Sequence, residues 1–366
     1  QQEIEIIRIG EFVERYGCDL KGWKALSQKE GKVDFYPITG VFKHKRKSKV
    51  VNVNLSSGFE CLITEDHSLF TFDTQGKMVP SSPKQNLFVN MLLSAPNNNS
   101  VIEIDLVKDI QDKVPPEEKR NIFCMVKSLT QAKIRMLKSE LKVLNVLSTA
   151  NTEYKQEIAN RTGLDGSTVT EVTKRLEQKL MIHTSLDKRS KKFTLTGLGK
   201  EYLASLAWLL KHMYYHKLKY RLNLEQAAIS PAGFRKFFDL EVGVWYGKIA
   251  LKRYLPLNTA LASFLGFYVS EGDTRRNSTT SEVYLAARRK EIQEKMAESI
   301  RKGLGIEPRV TWRGVYAAAQ MAHYLIKYIF DSGIGAYGKC VPSKIFNAEN
   351  SVKWAFLESY MLGDGH

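Results

Sequence analysis

The chain has 366 residues, 43% of them hydrophobic and 10% aromatic, and carries 55 Lys plus Arg against 39 Asp plus Glu for a formal charge of +16. At about 150 residues per domain this predicts two or three globular domains, excludes a mainly disordered chain, and points to an anionic partner. Cys18, Cys61, Cys124 and Cys340 form no C-x-x-C pair, no apolar run approaches the roughly 20 residues of a membrane span, and Gln1-Gln2-Glu3 opens no signal peptide, so the expected setting is reducing and cytoplasmic.

From Val33 to Ala95 the hydrophobic period is that of strands. The runs Val50-Val51-Asn52-Val53-Asn54-Leu55, Cys61-Leu62-Ile63-Thr64 and Ser68-Leu69-Phe70-Thr71-Phe72 are punctuated by Ser56-Ser57-Gly58 and Thr74-Gln75-Gly76, and predict an all-β module. His67 falls between two of these runs, where a lone histidine is usually structural. Thr64-Glu65-Asp66-His67, followed by an apolar strand, a glycine turn and Met78-Val79-Pro80-Ser81-Ser82, resembles the T-x-x-H block of the self-splicing Hint domain of inteins. Glu5-Ile6-Ile7-Arg8-Ile9-Gly10-Glu11-Phe12-Val13 resembles the stretch after an intein's first strands. The resemblance implies that His67 acts on the scissile amide nitrogen and Thr64 holds that peptide, with the flanking host (extein) segments as partners. Gln1 is not a nucleophile and the family's closing His-Asn is absent, so the chain is expected to be a piece of a longer protein, cut at both ends.

The positive charge is concentrated. Residues 131 to 221 hold 18 Lys plus Arg against 8 Asp plus Glu, +10 of the +16. Such an excess fits a phosphate-backbone binder, although charge alone does not separate nucleic acid from an anionic membrane. Leu137, Leu141, Leu144 and Leu147 recur at helical spacing, a second short helix runs through Tyr154, Ile158 and Ala159, and Gly163-Leu164-Asp165-Gly166 makes a turn. Ser167 or Thr168 can cap a third helix, with Thr168 and Glu171 as a capping box and Val169, Val172, Leu176 and Leu180 facing inward. Its outward face carries Thr170, Glu171, Lys174 and Arg175. Met181–Thr184 and Phe193–Thr196 flank the basic tip that holds Lys188, Arg189, Lys191 and Lys192. This order predicts a winged helix-turn-helix, and over about 70 residues it resembles the winged-helix DNA-binding domains of archaeal and bacterial regulators, the third helix in the major groove and the wing on phosphates.

Beyond a connecting stretch, Leu261-Ala262-Ser263-Phe264-Leu265-Gly266-Phe267-Tyr268-Val269-Ser270-Glu271-Gly272 is an apolar helix ending in an acid and a glycine. The arrangement repeats in Phe356-Leu357-Glu358-Ser359-Tyr360-Met361-Leu362-Gly363-Asp364-Gly365, placing Glu271 and Asp364 at matching positions 93 residues apart. Gly266, Ser270, Ser359 and Gly363 are small enough to let the two helices approach closely. Two carboxylates meeting there suit a hard divalent cation such as Mg2+ and a two-metal route to phosphodiester hydrolysis. The pair resembles the LAGLIDADG homing endonucleases, and Lys339-Cys340-Val341-Pro342 resembles the K-x-V-P element before their second motif. The resemblance implies that Glu271 and Asp364 are catalytic metal ligands, with Asp273 near enough to compete, and that Lys339 is the basic residue of the cleavage centre. Ser281–Leu285 and Arg309–Trp312 read as strands lining a DNA saddle.

The combined expectation is a multidomain α+β protein. A Hint-like splicing module spans 1–105, a linker 106–130, a winged helix-turn-helix 131–221 and a second linker 222–248. A LAGLIDADG αββαββα endonuclease domain, its second half incomplete, spans 249–366. Double-stranded DNA is the expected partner, with no membrane. The alternatives are a winged-helix DNA-binding regulator and a free-standing endonuclease or maturase without splicing.

Overall fold

The computed structural model describes residues 4–17, 19–29, 32–43, 49–54, 60–67, 69–83, 99–127, 129–150, 153–187, 190–216, 219–245, 249–276 and 281–364. They belong to two units, Gln1–Asn98 and Asn99–His366, of mixed α and β structure with small antiparallel sheets. Among the described residues no helix is long and apolar enough to cross a membrane.

The first unit has strands where the β period places them, joined by a helix, Ile9–Tyr16. The hairpins Lys24–Lys29 with Lys32–Pro37, Val50–Asn54 with Glu60–Thr64, and Leu69–Phe72 with Met78–Ser81 are three separate two-stranded sheets. Among the described residues they close into no barrel, so the all-β module is present as hairpins plus a helix. Their alternating half-buried and exposed pattern hides little apolar surface. Phe12, Tyr16 and Trp23 form a small aromatic cluster with ring centroids 4.5 to 5.2 Å apart.

The second unit has one contiguous apolar core that runs from Ile104 to Phe356. Its organising feature is the antiparallel pair Glu103–Asp105 and Tyr254–Pro256, between which residues 106–253 leave and return. Arg253 locks that root. Its Nε and Nη2 donate to the two Asp105 carboxylate oxygens at 2.9 Å each, and its Nη1 to the Ala227 carbonyl at 2.9 Å and Ser230 Oγ at 3.0 Å.

Within this excursion the helices Gln131–Ala150, Lys155–Thr162 and Gly166–Gln178 are followed by the hairpin Ile182–Asp187 and Ser190–Leu195, with Glu153–Tyr154 as a third strand. A further helix, Gly197–His212, packs on the first. Two local expectations fail here. Asp165, not Ser167 or Thr168, caps the third helix, accepting from the Thr168 amide at 2.8 Å and hydroxyl at 2.6 Å, because a carboxylate one turn ahead satisfies both donors. Leu180 lies past the end of that helix at φ 58° and is 72% exposed, so it does not join Val169, Val172 and Leu176 in the core.

The expected linkers are structured. Residues 106–130 contain the helices Leu106–Lys113 and Pro116–Lys119 and the strand Ile122–Val126, and residues 222–248 contain Leu224–Ala228 and Leu240–Val244. A five-stranded sheet, in the order Tyr214–His216, Lys219–Asn223, Ile122–Val126, Leu240–Val244, Leu251–Lys252, draws on both segments. Each contributes only one or two short strands, and their core face, with Cys124, Leu222 and Val242, is assembled from positions about 100 residues apart.

The last part runs helix Thr259–Glu271, strands Gly272–Arg276 and Ser281–Ala286, helix Lys290–Leu304, strands Arg309–Thr311 and Gly314–Ala317, and helix Gln320–Tyr324 continued by a π turn, Leu325–Ile329. Its four strands form one antiparallel sheet in which Ser281–Ala286 pairs with Gly272–Arg276 and Gly314–Ala317. Helix Asn350–Asp364 then packs along Thr259–Glu271.

Candidate functional site

The helix pair Thr259–Glu271 and Asn350–Asp364 is held by its small residues. A Cβ on Gly266 would stand 2.3 Å from the Phe356 carbonyl oxygen and 3.1 Å from Ser359 Cβ, and a Cβ on Gly363 would stand 2.2 Å from Ser270 Oγ and 3.1 Å from Glu271 Cγ. Only glycine permits this separation at either position. Ser263 Oγ adds a hydrogen bond across the seam to the Ala355 carbonyl at 3.4 Å. The packing therefore brings Glu271 beside Gly363, one residue from Asp364, as the small-residue pattern predicts.

Both acids sit at helix C-termini, where exposed carbonyls already make the field negative and a cation is favoured. Lys339 supplies one cation. Its Nζ donates to the Ser270 carbonyl at 2.8 Å and lies 3.2 and 3.4 Å from the carbonyls of Gly272 and Tyr268. Burial pulls the Lys339 pKa below the ordinary lysine value, opposed by the charges of Asp364, Glu271 and Asp273. The tight loop before Lys339 is set by Gly333, at φ 73°, whose Cβ would overlap the Gly338 carbonyl, and by the Cys340 amide donating to Ser332 at 3.0 Å. Tyr268 anchors the same loop through a 2.7 Å hydrogen bond from its hydroxyl to the Gly333 carbonyl, and burial raises its pKa.

The carboxylates of Glu271 and Asp364 are oxygen donors of the kind a hard divalent cation takes, while the Ser270, Gly272 and Tyr268 carbonyls are already held by Lys339. Among the described residues no three acidic, histidine or cysteine side chains converge as a ready-made metal cage. Glu271 and Asp364 are the two acids that the helix pair brings near Lys339.

On the adjoining sheet Tyr284 and Tyr316 stack with centroids 4.6 Å apart, and Arg309 sits 4.4 Å over Tyr316 while pairing with Glu282 at 3.1 Å. Trp312 is exposed at the turn with Arg313 4.5 Å above it. Tyr284, Tyr316 and Arg309 are thus cross-strand neighbours in one row of the sheet, which Asp273 continues on the other side.

Between residues 131 and 195 Thr170 and Lys174 are exposed on the third helix, although the Thr170 hydroxyl is used on the Gly166 carbonyl at 2.8 Å. Lys191 is exposed on the hairpin. Lys192 is half-buried, its ammonium 5.7 Å over the Tyr154 ring. Lys188 and Arg189 lie outside the described residues. Arg175 corrects the sequence reading: it turns inward, its Nε 3.4 Å from a Glu140 carboxylate with no exposure, and its Nη1 pairs with Glu171. Glu140 also accepts from the Tyr202 hydroxyl at 2.5 Å and lies 3.4 Å from Lys179 Nζ. A buried carboxyl group needs such partners, and Arg175 and Lys179, each 3.4 Å away, are the cations that the facing segment supplies. Burial, then Glu140, drives the Tyr202 pKa upward. A glutamate on the apolar side of the Gln131–Ala150 helix was the one sequence signal for this cluster.

Thr64 and His67 share one turn of the first unit, the His67 amide donating to the Thr64 carbonyl at 2.9 Å, and both side chains are exposed.

No protein-family model matches the chain. It is similar to the DNA polymerase of Thermococcus sp. (strain GE8), 26% identical over 99% of this chain and 22% of that protein. It is also similar to the DNA polymerases of Thermococcus aggregans, 25% identical over 99% of the chain and 20% of the relative, and of Methanocaldococcus jannaschii, 24% identical over 90% and 20%. The chain spans about a fifth of the length of these curated relatives. A solved structure on the regulation of DNA binding of Bordetella bronchiseptica BpsR by 6-hydroxynicotinic acid aligns with 28% of this chain and 62% of its own, at 21% identity and a TM-score of 0.19, too low to define a shared fold.

Proposed function

We propose that the chain is part of an intein carrying a LAGLIDADG-type homing endonuclease, with a Hint-like splicing module and a winged-helix DNA-binding region. The observation that carries the reading is the helix pair in which Gly266 and Gly363 bring two acid-tipped C-termini together next to Lys339. The match pattern supports it as well, because nearly the whole chain aligns inside a small part of much longer proteins, as an inserted element does. A 28% identical match over 33% of the chain also falls within 7% of the DNA polymerase II large subunit of Thermococcus kodakarensis, a differently named host.

In this reading the winged helix and the saddle sheet hold the duplex by its phosphates and grooves. Glu271 and Asp364 hold Mg2+, which when bound supplies charge neutralisation at the scissile phosphate. Lys339 stays clamped on the carbonyls of Ser270 and Gly272, keeps the two acids in register, and adds positive potential where charge develops. In the first unit His67 protonates or hydrogen-bonds the scissile amide nitrogen and Thr64 orients that peptide.

The test uses the chain expressed with its natural flanking sequence. Incubation with long duplex DNA and Mg2+ is expected to give site-specific double-strand cuts, lost in Asp364→Ala and Glu271→Ala while binding survives. Undiminished cutting by Asp364→Ala would overturn the site. Binding with no cutting in the wild type would favour the regulator reading, which the winged-helix order of elements supports. An unchanged mature product from His67→Ala would favour a free-standing endonuclease or maturase over splicing.

A further inference from the structure

The five-stranded sheet has a second face that the endonuclease reading does not use. Tyr214, Arg221, Met125, Glu241 and Lys252 are direct cross-strand neighbours in one row, so they share the face opposite Cys124, Leu222 and Val242. Lys219, two residues before Arg221, and Lys127, whose Nζ lies 3.8 Å from Glu241, extend the same face and are exposed, as is Lys252. The face thus carries four cations against two carboxylates, Glu241 and the exposed Asp239 beside Lys127.

Arg221 is the unusual member. It is 6% exposed, its guanidinium carbon 3.9 Å from the Phe123 ring centroid and 4.3 Å from that of Trp245. Both rings lie against the guanidinium on adjoining sides, their own centroids 5.4 Å apart, yet Nε and Nη1 are enclosed with no hydrogen-bond partner. The ring contacts return less than two unmet donors cost, so they alone leave the cation short of an acceptor. Burial accordingly lowers its pKa. Trp245 is only half-buried, and its indole N–H rests on the Arg120 carbonyl at 3.2 Å at the surface, with His216 edge-on at 4.7 Å. Trp245 is the half-buried ring between the enclosed guanidinium and the surface, packed also on Phe123 at 5.4 Å.

We propose that this sheet face is a further duplex-DNA contact, in which a backbone phosphate displaces the Trp245 ring to reach Arg221 while Lys127, Lys219 and Lys252 flank it. The inference rests on the DNA-binding reading above. It assigns a role to a region whose strands come from segments with no motif.

Lysine acetylation read by mass spectrometry tests it, with a random-sequence duplex added to the full chain. Lys219, Lys127 and Lys252 are expected to be protected several-fold alongside Lys174 of the winged helix. Arg221→Gln is expected to lower the slope of log affinity against log salt by about one unit, and Lys219→Gln, which leaves the core untouched, by a similar amount. Protection of Lys174 without protection of the sheet lysines, and unchanged slopes in Lys219→Gln, would overturn this inference and leave the winged-helix reading standing. Failure of the wild type to bind the duplex at all would overturn both.

Discussion

Replacing Gly266 with alanine sets two well-defined effects against each other. Alanine is a better helix former than glycine by about 1 kcal/mol, so helix propensity alone predicts stabilisation. Packing predicts the reverse, because the new Cβ would stand 2.3 Å from the Phe356 carbonyl oxygen, a backbone atom with no rotamer to change. Restoring ordinary contact parts the helices by about 1 Å, which forfeits a quarter to a half of the dispersion energy of the atoms facing across the seam. Overpacking of this kind costs about 1–3 kcal/mol, and the lost seam contacts bring the penalty to about 3 kcal/mol. Net of propensity, Gly266→Ala is expected to destabilise the second unit by about 2 kcal/mol, a fall of about 4–8 °C in melting temperature by circular dichroism at about 2–4 °C per kcal/mol. Gly197→Ala, at a helical glycine with open space around it, is the control and is expected to be neutral or stabilising. Ser359→Gly added to Gly266→Ala is expected to give little rescue, since the first clash is with backbone. A melting temperature that rises in Gly266→Ala, or recovers fully in the double variant, would refute the close packing on which the two acids depend.

Arg175→Ala is expected to lower stability through Glu140 and leave the salt slope of DNA binding near its wild-type value, whereas Lys174→Ala is expected to lower that slope by about one unit at unchanged stability; fluorescence anisotropy across a salt series and thermal melting separate them. Arg253→Met removes the fork on Asp105 at the root of the excursion and is expected to cost about 3 kcal/mol in urea unfolding, with Arg253→Lys recovering little of it because a point charge cannot make the two-oxygen contact; a cost under about 1 kcal/mol would count against the root. Cys124, fully buried with its thiol pushed up to about 12 by burial, is expected to resist iodoacetamide at pH 8 until the protein is unfolded, while exposed Cys340 is alkylated in the native state; peptide mapping reads both.

The motif helices were legible because their signal is local and repeated: an apolar run, small residues at fixed offsets, and a terminal acid, twice. The three helices and the hairpin between residues 131 and 195 were legible for the same reason, each having its own periodicity and turn. The orientation of individual side chains was less so. Arg175 reads as outward from the helical wheel, and only the buried Glu140 on another helix, 35 residues earlier, turns it inward.

By itself the sequence determined most of the kinds of secondary structure, the order of the helices and hairpin between residues 131 and 195 and of the two apolar helices, and the concentration of positive charge. Tertiary structure decided what joins them. The segments read as linkers carry short strands whose apolar face exists only when residues 122–126, 219–223 and 240–244 meet, and the excursion is closed by Arg253 on Asp105, 148 residues apart. Helical periodicity is written within a few turns of chain, so a sequence reveals it. A sheet row such as Tyr214, Arg221, Met125, Glu241 and Lys252, and an arginine buried against Phe123 and Trp245, are written across distant positions and come into being only when the chain folds.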